Sequence, residues 1–559
     1  MSELPNDAIS TALDELAGLY ELDGAVSYRV LAYRDAAKAV REASVSVAGL
    51  VREGRAQEIP GIGATLEQKL VSLVESGSIP AAEQLRARFP ASLLEITQLP
   101  GVGAKKARRL FDELGIDSYQ ALRSAAEQQQ LRELRGFGAK FEQSVLDAPA
   151  PRPAAESRLR LDTALELGEM IVAALHGRAP HARIELAGSV RRRAETVKDI
   201  DIVLDDPALL DALDELEPIA SASRTGESAA RGRTWSGTPV ELRACAPEQF
   251  GNLLQHLTGS GRHNAALRAR AQRSGRHVSE YGIDELRCAQ EHEVYEALGL
   301  PYVEPELRED RGELELQQGE LPELVQLADI RGDLHCHTTA SDGRASIEQM
   351  ARAAQQRGYE YLAITDHSAT HGFGNDVSPD ELLRQIERVH EVDARIELRL
   401  LVGSEVNLLP DGSPDYADDL LEQLDWVIAS VHTSLRMSAA AMTRRLVAAC
   451  EHPVIRAIGH PTGRLIGRRE AYAFDAHEVF AAAARTGTLL EINANPNRRD
   501  LSEIHARAAV AAGARIVVNS DAHGPETLAQ IRYGVWTARR AWLGPGDVAN
   551  TRAWEELFS

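Results

Sequence analysis

Cysteine is scarce in this 559-residue chain. It has four, none in a Cys-x-x-Cys pair, which argues against a disulfide framework and against a thiolate zinc site. No apolar run approaches the roughly 18 residues that a membrane span needs. The first residues (MSELPNDAIS) lack the basic and apolar stretches of a secretion signal. Positive charge is in deficit: 62 basic against 84 acidic side chains leave a formal net charge of −22. Taken alone, that balance argues against a nucleic-acid partner. Lysine is the scarcest base, with only Lys38, Lys69, Lys105, Lys106, Lys140 and Lys198, so amine chemistry falls to one of these positions. What remains is ordinary for a globular chain, 44% hydrophobic and 26% charged. At roughly 100–200 residues per domain the length suits three or more units. The expectation is a cytoplasmic, monomeric enzyme with no membrane partner.

Residues 1–150 read as helical, with apolar residues at three- and four-residue spacing in runs such as 8–20 and 32–50. Three Gly-x-Gly turns interrupt them: Ile59-Pro60-Gly61-Ile62-Gly63, Leu99-Pro100-Gly101-Val102-Gly103 and Leu134-Arg135-Gly136-Phe137-Gly138. A Pro-Gly-x-Gly turn entering a helix exposes backbone N–H groups at the helix N-terminus, a seat for a phosphate oxygen. The second copy is trailed by Lys105, Lys106, Arg108 and Arg109. These are the features of a helix-hairpin-helix motif, which grips the DNA backbone without reading sequence. Gly61, Gly63, Gly101, Gly103, Lys105 and Lys106 are the expected DNA contacts. A tight helix–helix connection is the alternative for any one turn, and the third copy, lacking the proline, stays open. The stretch 148–155 (DAPAPRPA) reads as a linker.

Asp199-Ile200-Asp201-Ile202-Val203 reads as a strand. Residues two apart on a strand point to one side, so Asp199 and Asp201 can share a metal pair. Just upstream, Gly188-Ser189-Val190-Arg191-Arg192-Arg193 offers the close backbone approach and positive charge that a triphosphate needs. Glu241-Leu242-Arg243 and Thr258-Gly259-Ser260 follow, then Asn264. A D-x-D strand alone also fits an exposed sheet edge. On the combined residues, over roughly 1–320, the chain resembles the family X DNA polymerases of the nucleotidyltransferase superfamily.

That resemblance implies that Asp199, Asp201 and Glu241 position two Mg²⁺ or Mn²⁺ ions for attack by a primer 3′-OH. It implies that Gly188, Ser189, Arg192 and Gly259 hold the deoxynucleoside triphosphate, and that Asn264 faces the minor-groove edge. Two positions depart from the family. Its third carboxylate is an aspartate in V-D-L-R, where this chain has Val240-Glu241-Leu242-Arg243. The extra methylene adds roughly 1.5 Å of reach, and a misplacement of about 1 Å costs on the order of 100-fold in rate. The family's Tyr-Phe before Thr-Gly-Ser is His256-Leu257 here. Weak or specialised synthesis is expected, with a palm that only binds DNA as the alternative. Lys69 matches the lysine that forms a Schiff base at abasic sites in mammalian repair members, chemistry that needs an amine of lowered pKa. A solvated helical lysine is the other reading.

The region after residue 331 alternates strand and helix. Seven strands are expected, and six end in ligand-type side chains: His335 and His337, His367, Glu405, His432, His460, and Asp521 with His523, with Asp342 in the loop after the first. Active sites of β/α barrels lie at strand C-termini. Imidazole and carboxylate without thiolate suit Mn²⁺, Zn²⁺ or Fe²⁺. Nine ligands imply two or three ions, which can activate water and clamp both oxygens of a phosphodiester displacement. Over its full length the segment resembles the PHP (polymerase and histidinol phosphatase) domain. The family pattern assigns His335, His337, Glu405 and Asp521 to one ion. Glu405, His432 and His460 hold a second, and Asp342, His367 and His523 a third. In bacterial two-part proteins the domain is a metal-dependent 3′→5′ exonuclease, with end-cleaning or abasic-site cleavage in some members. His371, His390, His452, His477 and His505 fit no ligand pattern and are expected at the surface. Arg464, Arg468, Arg469, Arg498 and Arg499 are either phosphate contacts or solvated loop charges.

The expected fold is multidomain. It comprises a helical 8-kDa-like DNA-binding domain (1–90), a helix-hairpin-helix subdomain (91–150) and an α+β nucleotidyltransferase palm (151–250). A thumb-like nucleotide- and template-binding subdomain (251–320), a linker (321–330) and a C-terminal α/β distorted (β/α)7 PHP barrel (331–559) follow. The expected function is DNA repair of the base-excision kind on gapped or 3′-recessed DNA, joining gap-filling polymerase to 3′-end nuclease. A PHP nuclease on a catalytically silent DNA-binding scaffold and a histidinol-phosphatase-like small-molecule phosphoesterase are the alternatives. DNA binding on this reading is local, at 101–109 and 191–193, and salt-sensitive.

Overall fold

Helices Asn6–Leu22 and Ser27–Glu42 lead the chain in a computed structural model that describes residues 4–97, 99, 101–147, 158–317, 319–372 and 375–557. The expected linker at 148–155 and Pro100 lie outside the described residues. The helical spacing places Ile9, Leu13, Leu16 and Tyr20 of the first helix in one apolar core with Val30, Tyr33, Ala37 and Val40 of the second. Buried Asn6 is satisfied by Ala43 O (3.2 Å), Val45 O (2.8 Å) and the Val47 N–H (2.9 Å), pinning the helical bundle's entry.

The chain divides into two units, one made of residues 1–159, 163–190 and 196–253, the other of 160–162, 191–195 and 254–559. In the first, a five-stranded sheet follows the helices: β1 Ile184–Leu186, β2 Ile200–Leu204, β3 Ile219–Arg224, β4 Ala229–Thr234 and β5 Pro239–Ala244, in the order β1-β2-β5-β4-β3. β2 and β5 run parallel, with Asp201 opposite Glu241. Ile200, Ile202 and Leu204 enter the apolar core with Val240, Leu242 and Ala244. Strand alternation therefore leaves Asp201 and Glu241 together on the other face.

In the second unit seven parallel strands follow in chain order: β6 Gly332–Asp333, β7 Tyr361–Ile364, β8 Arg399–Asn407, β9 Trp426–Ser430, β10 Ala457–Ile458, β11 Leu489–Asn493 and β12 Ile516–Asn519. Bonds from His337 N to Ala522 O (2.8 Å) and from Leu334 N to Asn519 Oδ1 (3.1 Å) draw the first and last strands together. Tyr361, Ala363, Leu401, Trp426, Ile428, Leu489 and Val517 fill the interior. The period of two carries the same side upward to polar residues: Thr365 and His367, Glu405, Ser430 and His432, Glu491 and Asn493, Asn519 and Asp521. Apolar floor and polar mouth thus come from one alternation. Ser346, Ser378 and Ser502 cap the helices Ile347–Gln356, Pro379–Asp393 and Glu503–Ala511 that follow three of the strands.

Residues 254–330, expected as a separate subdomain and linker, belong to the same unit as the barrel. Leu267, Tyr295, Leu300 and Val303 form a small core against which Trp542 packs. Arg539 bonds Glu306 (2.7 Å), and Arg540 bonds Glu309 (3.1 Å) and Glu503 (3.0 Å). At the centre, Glu291 takes a bidentate pair from Arg191 (2.8 Å each), a bond from fully buried Arg308 and one from Tyr302 (3.0 Å). Burial pushes the Glu291 carboxyl up, but Arg308 and Arg191 outweigh it and hold it down at about 2. Glu291→Ala is expected to cost about 3–5 kcal/mol, because it strands a buried guanidinium. Urea unfolding of the full chain, followed by tryptophan fluorescence, measures the loss.

Candidate metal centre and associated sites

The mouth of the barrel gathers all nine expected ligand residues. Glu405 sits at the middle: its carboxylate lies 3.4 Å from His335 Nε2, 2.8 Å from His367 Nδ1, 3.3 Å from His432 Nε2 and 3.0 Å from His460 Nε2. Asp521 Oδ1 is 3.2 Å from His337 Nε2 and 3.7 Å from His335 Nε2. Asp342 stands 3.6 Å from His367 Nε2 and 3.3 Å from His523 Nε2. Three groups have ligand atoms within 4.8 Å of one another: His335, His337 and Asp521; His367, Glu405 and His432; and His337, Asp342, His367 and His523. His337 and His367 therefore each border two groups, a closer sharing than the family pattern implies. Asp342 and His523, at 39% and 30% side-chain exposure, are the members most open to solvent.

The donor chemistry fits divalent cations. His335 Nε2 and His337 Nδ1 are buried without a hydrogen-bond partner among the described residues, lone pairs that a cation would take. Burial pushes the Glu405 and Asp521 carboxyls up, but His432 and His335 beside the first, and His335 and His337 beside the second, hold both well below the usual range. Burial lowers His367 and His523, yet Glu405 raises the first to about 10 and Asp342 the second to about 9. Burial and neighbouring His367 bring His337 down to about 4, and burial and Arg498 do the same to His460. His460 (φ 28°) and Asp521 (φ 55°) have left-handed backbones, a strain the surrounding packing holds at two ligand positions.

Several neighbours were not singled out by the sequence. Asp366 joins none of the three groups: it accepts bonds from Thr338 N and Oγ1 (2.7 Å each), Ser341 Oγ (2.5 Å) and Gln385 (2.7 Å), fixing the loop that carries Asp342. Gly343 closes that loop, where a Cβ would lie 2.5 Å from the His337 carbonyl. Glu491, on the one strand without an expected ligand, holds His335 Nδ1 at 2.7 Å. His371, expected at the surface, is buried and stacks on His367 at 4.2 Å and 7°. It follows a strand end by seven residues, beyond the reach of strand periodicity. Of the arginines, Arg464 binds Glu195, and buried Arg499 bonds Thr537 (2.9 Å) and Arg193 O (3.0 Å), so neither is a solvated loop charge. Arg468 is exposed, and Arg469 bonds Gly463 O (2.8 Å). Arg498 lies 3.8 Å from Asp521 with its Nη1 buried and unbonded among the described residues.

In the first unit Gly188 (φ 61°) lies directly against Asp201: a Cβ there would fall 2.1 Å from Asp201 Oδ2. Ala187 N donates to Asp201 O at 2.7 Å, and Ser189 is half-buried beside it in sequence. Asp199 and Glu241 border a cleft of about 840 Å³ with Lys198, Arg231 and Arg233. Glu241 is drawn to Arg231 (3.3 Å) and Arg243 (3.9 Å). Asp199, Asp201 and Glu241 do not bring ligand atoms within 4.8 Å of one another among the described residues.

In the second unit Arg192 binds Glu309 (3.0 Å) and Thr258 O (2.8 Å). Asn264 is spent inside the same region. Its amide donates to His256 O (2.6 Å) and Gly259 O (3.2 Å) and accepts from Gln255 (3.1 Å), and Gly259 leaves it room, since a Cβ would lie 2.3 Å from Asn264 Oδ1. His256 pairs with Glu280 at 3.3 Å.

The three glycine turns share one backbone. Ile62 N to Ile59 O (3.1 Å), Val102 N to Leu99 O (3.0 Å) and Phe137 N to Leu134 O (3.0 Å) close them, and Gly61, Gly101 and Gly136 have φ of 82°, 79° and 92°. The third, open in the sequence, is formed like the others. Gly63 and Gly103 begin the helices Ala64–Ser76 and Ala104–Leu114 with no side-chain cap, leaving N–H groups for an anion. Lys105 is exposed, Lys106 bonds Gly101 O (2.8 Å), and Lys69 is half-buried on Ala64–Ser76.

Family models match the chain as a helix-hairpin-helix domain at 4–79, a SAM-like helix-hairpin-helix tandem at 93–148, a DNA polymerase beta thumb at 253–309 and a PHP domain at 333–495. The class is thus a polymerase-β-like, DNA-binding chain joined to a PHP domain. It is 36% identical over 98% of its length, and 97% of the relative's, to the DNA polymerase/3′-5′ exonuclease PolX of Bacillus subtilis. It is 24% identical to rat DNA polymerase lambda, covering 54% of this chain and 56% of that one. A probable phosphatase of Syntrophotalea carbinolica is 28% identical, matching 39% of this chain and 90% of its own length. The chain belongs to the bacterial family X DNA polymerases that carry a PHP domain. No helix among the described residues is long and apolar enough to cross a membrane.

Proposed function

We propose that this chain is a DNA repair enzyme that fills gaps by template-directed synthesis in its first half and trims 3′ ends by metal-dependent hydrolysis in its barrel. The nine-residue cluster around Glu405, on a chain that also carries Asp201 opposite Glu241, is the observation that carries the reading. His335, His337, Glu405 and Asp521 would hold one ion, His432 and His460 with Glu405 a second, and Asp342, His367 and His523 a third. Bound Mn²⁺, Zn²⁺ or Fe²⁺ would supply a water nucleophile at neutral pH and offset charge on the scissile phosphodiester. Arg498, with its unbonded Nη1, would grip a phosphate oxygen beside Asp521.

Asp199, Asp201 and Glu241, an all-oxygen donor set, suit two Mg²⁺ or Mn²⁺ ions. Gly188 and Ser189 would bring backbone to the triphosphate. Arg192, Gly259 and Asn264 would shape its surroundings by holding the Thr258-Gly259 turn. Gly61, Gly63, Gly101, Gly103, Lys105 and Lys106 would hold the DNA backbone. Residues 1–90, 91–150, 151–250, 251–320 and 331–559 would take these parts as DNA-binding domain, helix-hairpin-helix subdomain, palm, thumb and nuclease. Lys69 would form the Schiff base at an abasic site.

The ion pairs from Arg231 and Arg243 to Glu241 favour a second reading, a silent scaffold serving the nuclease. A labelled gapped duplex with Mn²⁺, with and without nucleotides, separates the two. Extension plus degradation is the expected result, and degradation alone selects the scaffold. Neither activity would sink both readings and leave the phosphoesterase alternative, whose relatives match only 39% of the chain.

A further inference from the structure

One buried carboxylate beneath the cluster has no place in the proposed ligand set. Glu491, on β11, is fully buried and accepts four bonds: from His335 Nδ1 (2.7 Å), Asn519 Nδ2 (2.9 Å), His460 N (2.6 Å) and Asn493 Nδ2 (3.1 Å). The bond to His335 fixes the proton on Nδ1 and leaves Nε2 facing Glu405 (3.4 Å) and Asp521 (3.7 Å). The bond to His460 N holds the strained backbone of a second ligand position, whose Nε2 lies 3.0 Å from Glu405. Asn493 Nδ2 also reaches Asp521 Oδ2 at 2.9 Å, so the same network orients a third.

We propose that Glu491 is the positioning residue of the metal centre, a carboxylate that aims His335 and His460 without contacting an ion or the substrate. The inference rests on the reading that the barrel cluster binds divalent ions. Its chemistry is general: a carboxylate on the far nitrogen of a ligating imidazole sets the ring's tautomer and strengthens it as a donor, and removing such a partner costs about 10–100-fold in metal affinity or activity. It also explains why β11, alone among the seven strands, delivers no ligand to the mouth of the barrel.

The test is Mn²⁺ binding to the full chain by equilibrium dialysis, alongside 3′-end degradation as a function of Mn²⁺. For Glu491→Gln, with an unchanged circular dichroism spectrum, the Mn²⁺ dissociation constant and the half-saturating Mn²⁺ should both rise by about 10–100-fold. Degradation at saturating Mn²⁺ should return close to the wild-type rate, a recovery that a general packing defect would not produce. A folded Glu491→Gln protein that binds Mn²⁺ within threefold of wild type overturns the assignment. If the glutamine variant does not fold, Glu491→Asp takes its place. It keeps the charge facing the four donors but draws it back from His335, and it is judged by the same two results. Wild-type protein that binds no divalent ion would instead overturn the metal reading itself.

Discussion

Glu405→Ala is expected to abolish 3′-end degradation, lowering kcat/KM by on the order of 1000-fold, while primer extension stays within twofold of wild type. The size follows from what the carboxylate touches: four imidazoles, His335, His367, His432 and His460, lie within 3.4 Å of it. Its loss removes a ligand from each of two proposed ions, and interactions worth several kcal/mol in a phosphodiester transition state correspond to about three powers of ten. It also leaves His367 without the carboxylate 2.8 Å from its Nδ1. Release of a labelled 3′-terminal nucleotide in Mn²⁺ measures the effect. If the variant keeps a tenth of wild-type degradation, Glu405 is not the shared ligand.

Asp201→Ala should have the complementary effect: extension of a gapped primer falls by on the order of 1000-fold, and degradation is unchanged. Asp201 is the carboxylate that Gly188 is shaped around, since any side chain at 188 would collide with it. Its strand pairs in register with the strand of Glu241. The backbone bond from Ala187 N to Asp201 O does not depend on the side chain, so the sheet should survive the substitution. Single-nucleotide incorporation with Mg²⁺ measures it. Extension that persists at the wild-type rate would remove Asp201 from the catalytic set.

The barrel was legible in the sequence because two local rules coincide there. Strand alternation puts every second side chain on one face, and ligand-type residues recur at the C-terminal ends of the apolar runs. His367, Glu405, His432 and Asp521 could be found that way, and the structure brings them together. The rule says nothing of Asp366, which follows a strand as a ligand would but bonds Thr338, Ser341 and Gln385. It passed over Glu491, whose carboxylate faces the cluster from below. His371 sits in a loop, where no periodicity reports burial.

In the first half, motif and spacing identified the glycine turns and the two-aspartate strand. They did not show that Arg192 and Asn264 would be tied up by Glu309, Thr258, His256 and Gln255, because those partners lie up to 117 residues away. Net charge was the poorest guide, since −22 averages over surfaces while backbone N–H groups and local arginines act within a Debye length.

By itself the sequence determined the element types, the identity of the metal-ligand candidates and the presence of the glycine turns, all of which depend on contacts within a few residues along the chain. Only the tertiary structure decided which carboxylates gather with the histidines and which hold other groups in place, how Glu405 lies among four histidines, and that residues 254–330 form one unit with the barrel. Those outcomes depend on hydrogen bonds and packing between segments far apart in sequence, where each buried polar group must find a partner that no local pattern encodes.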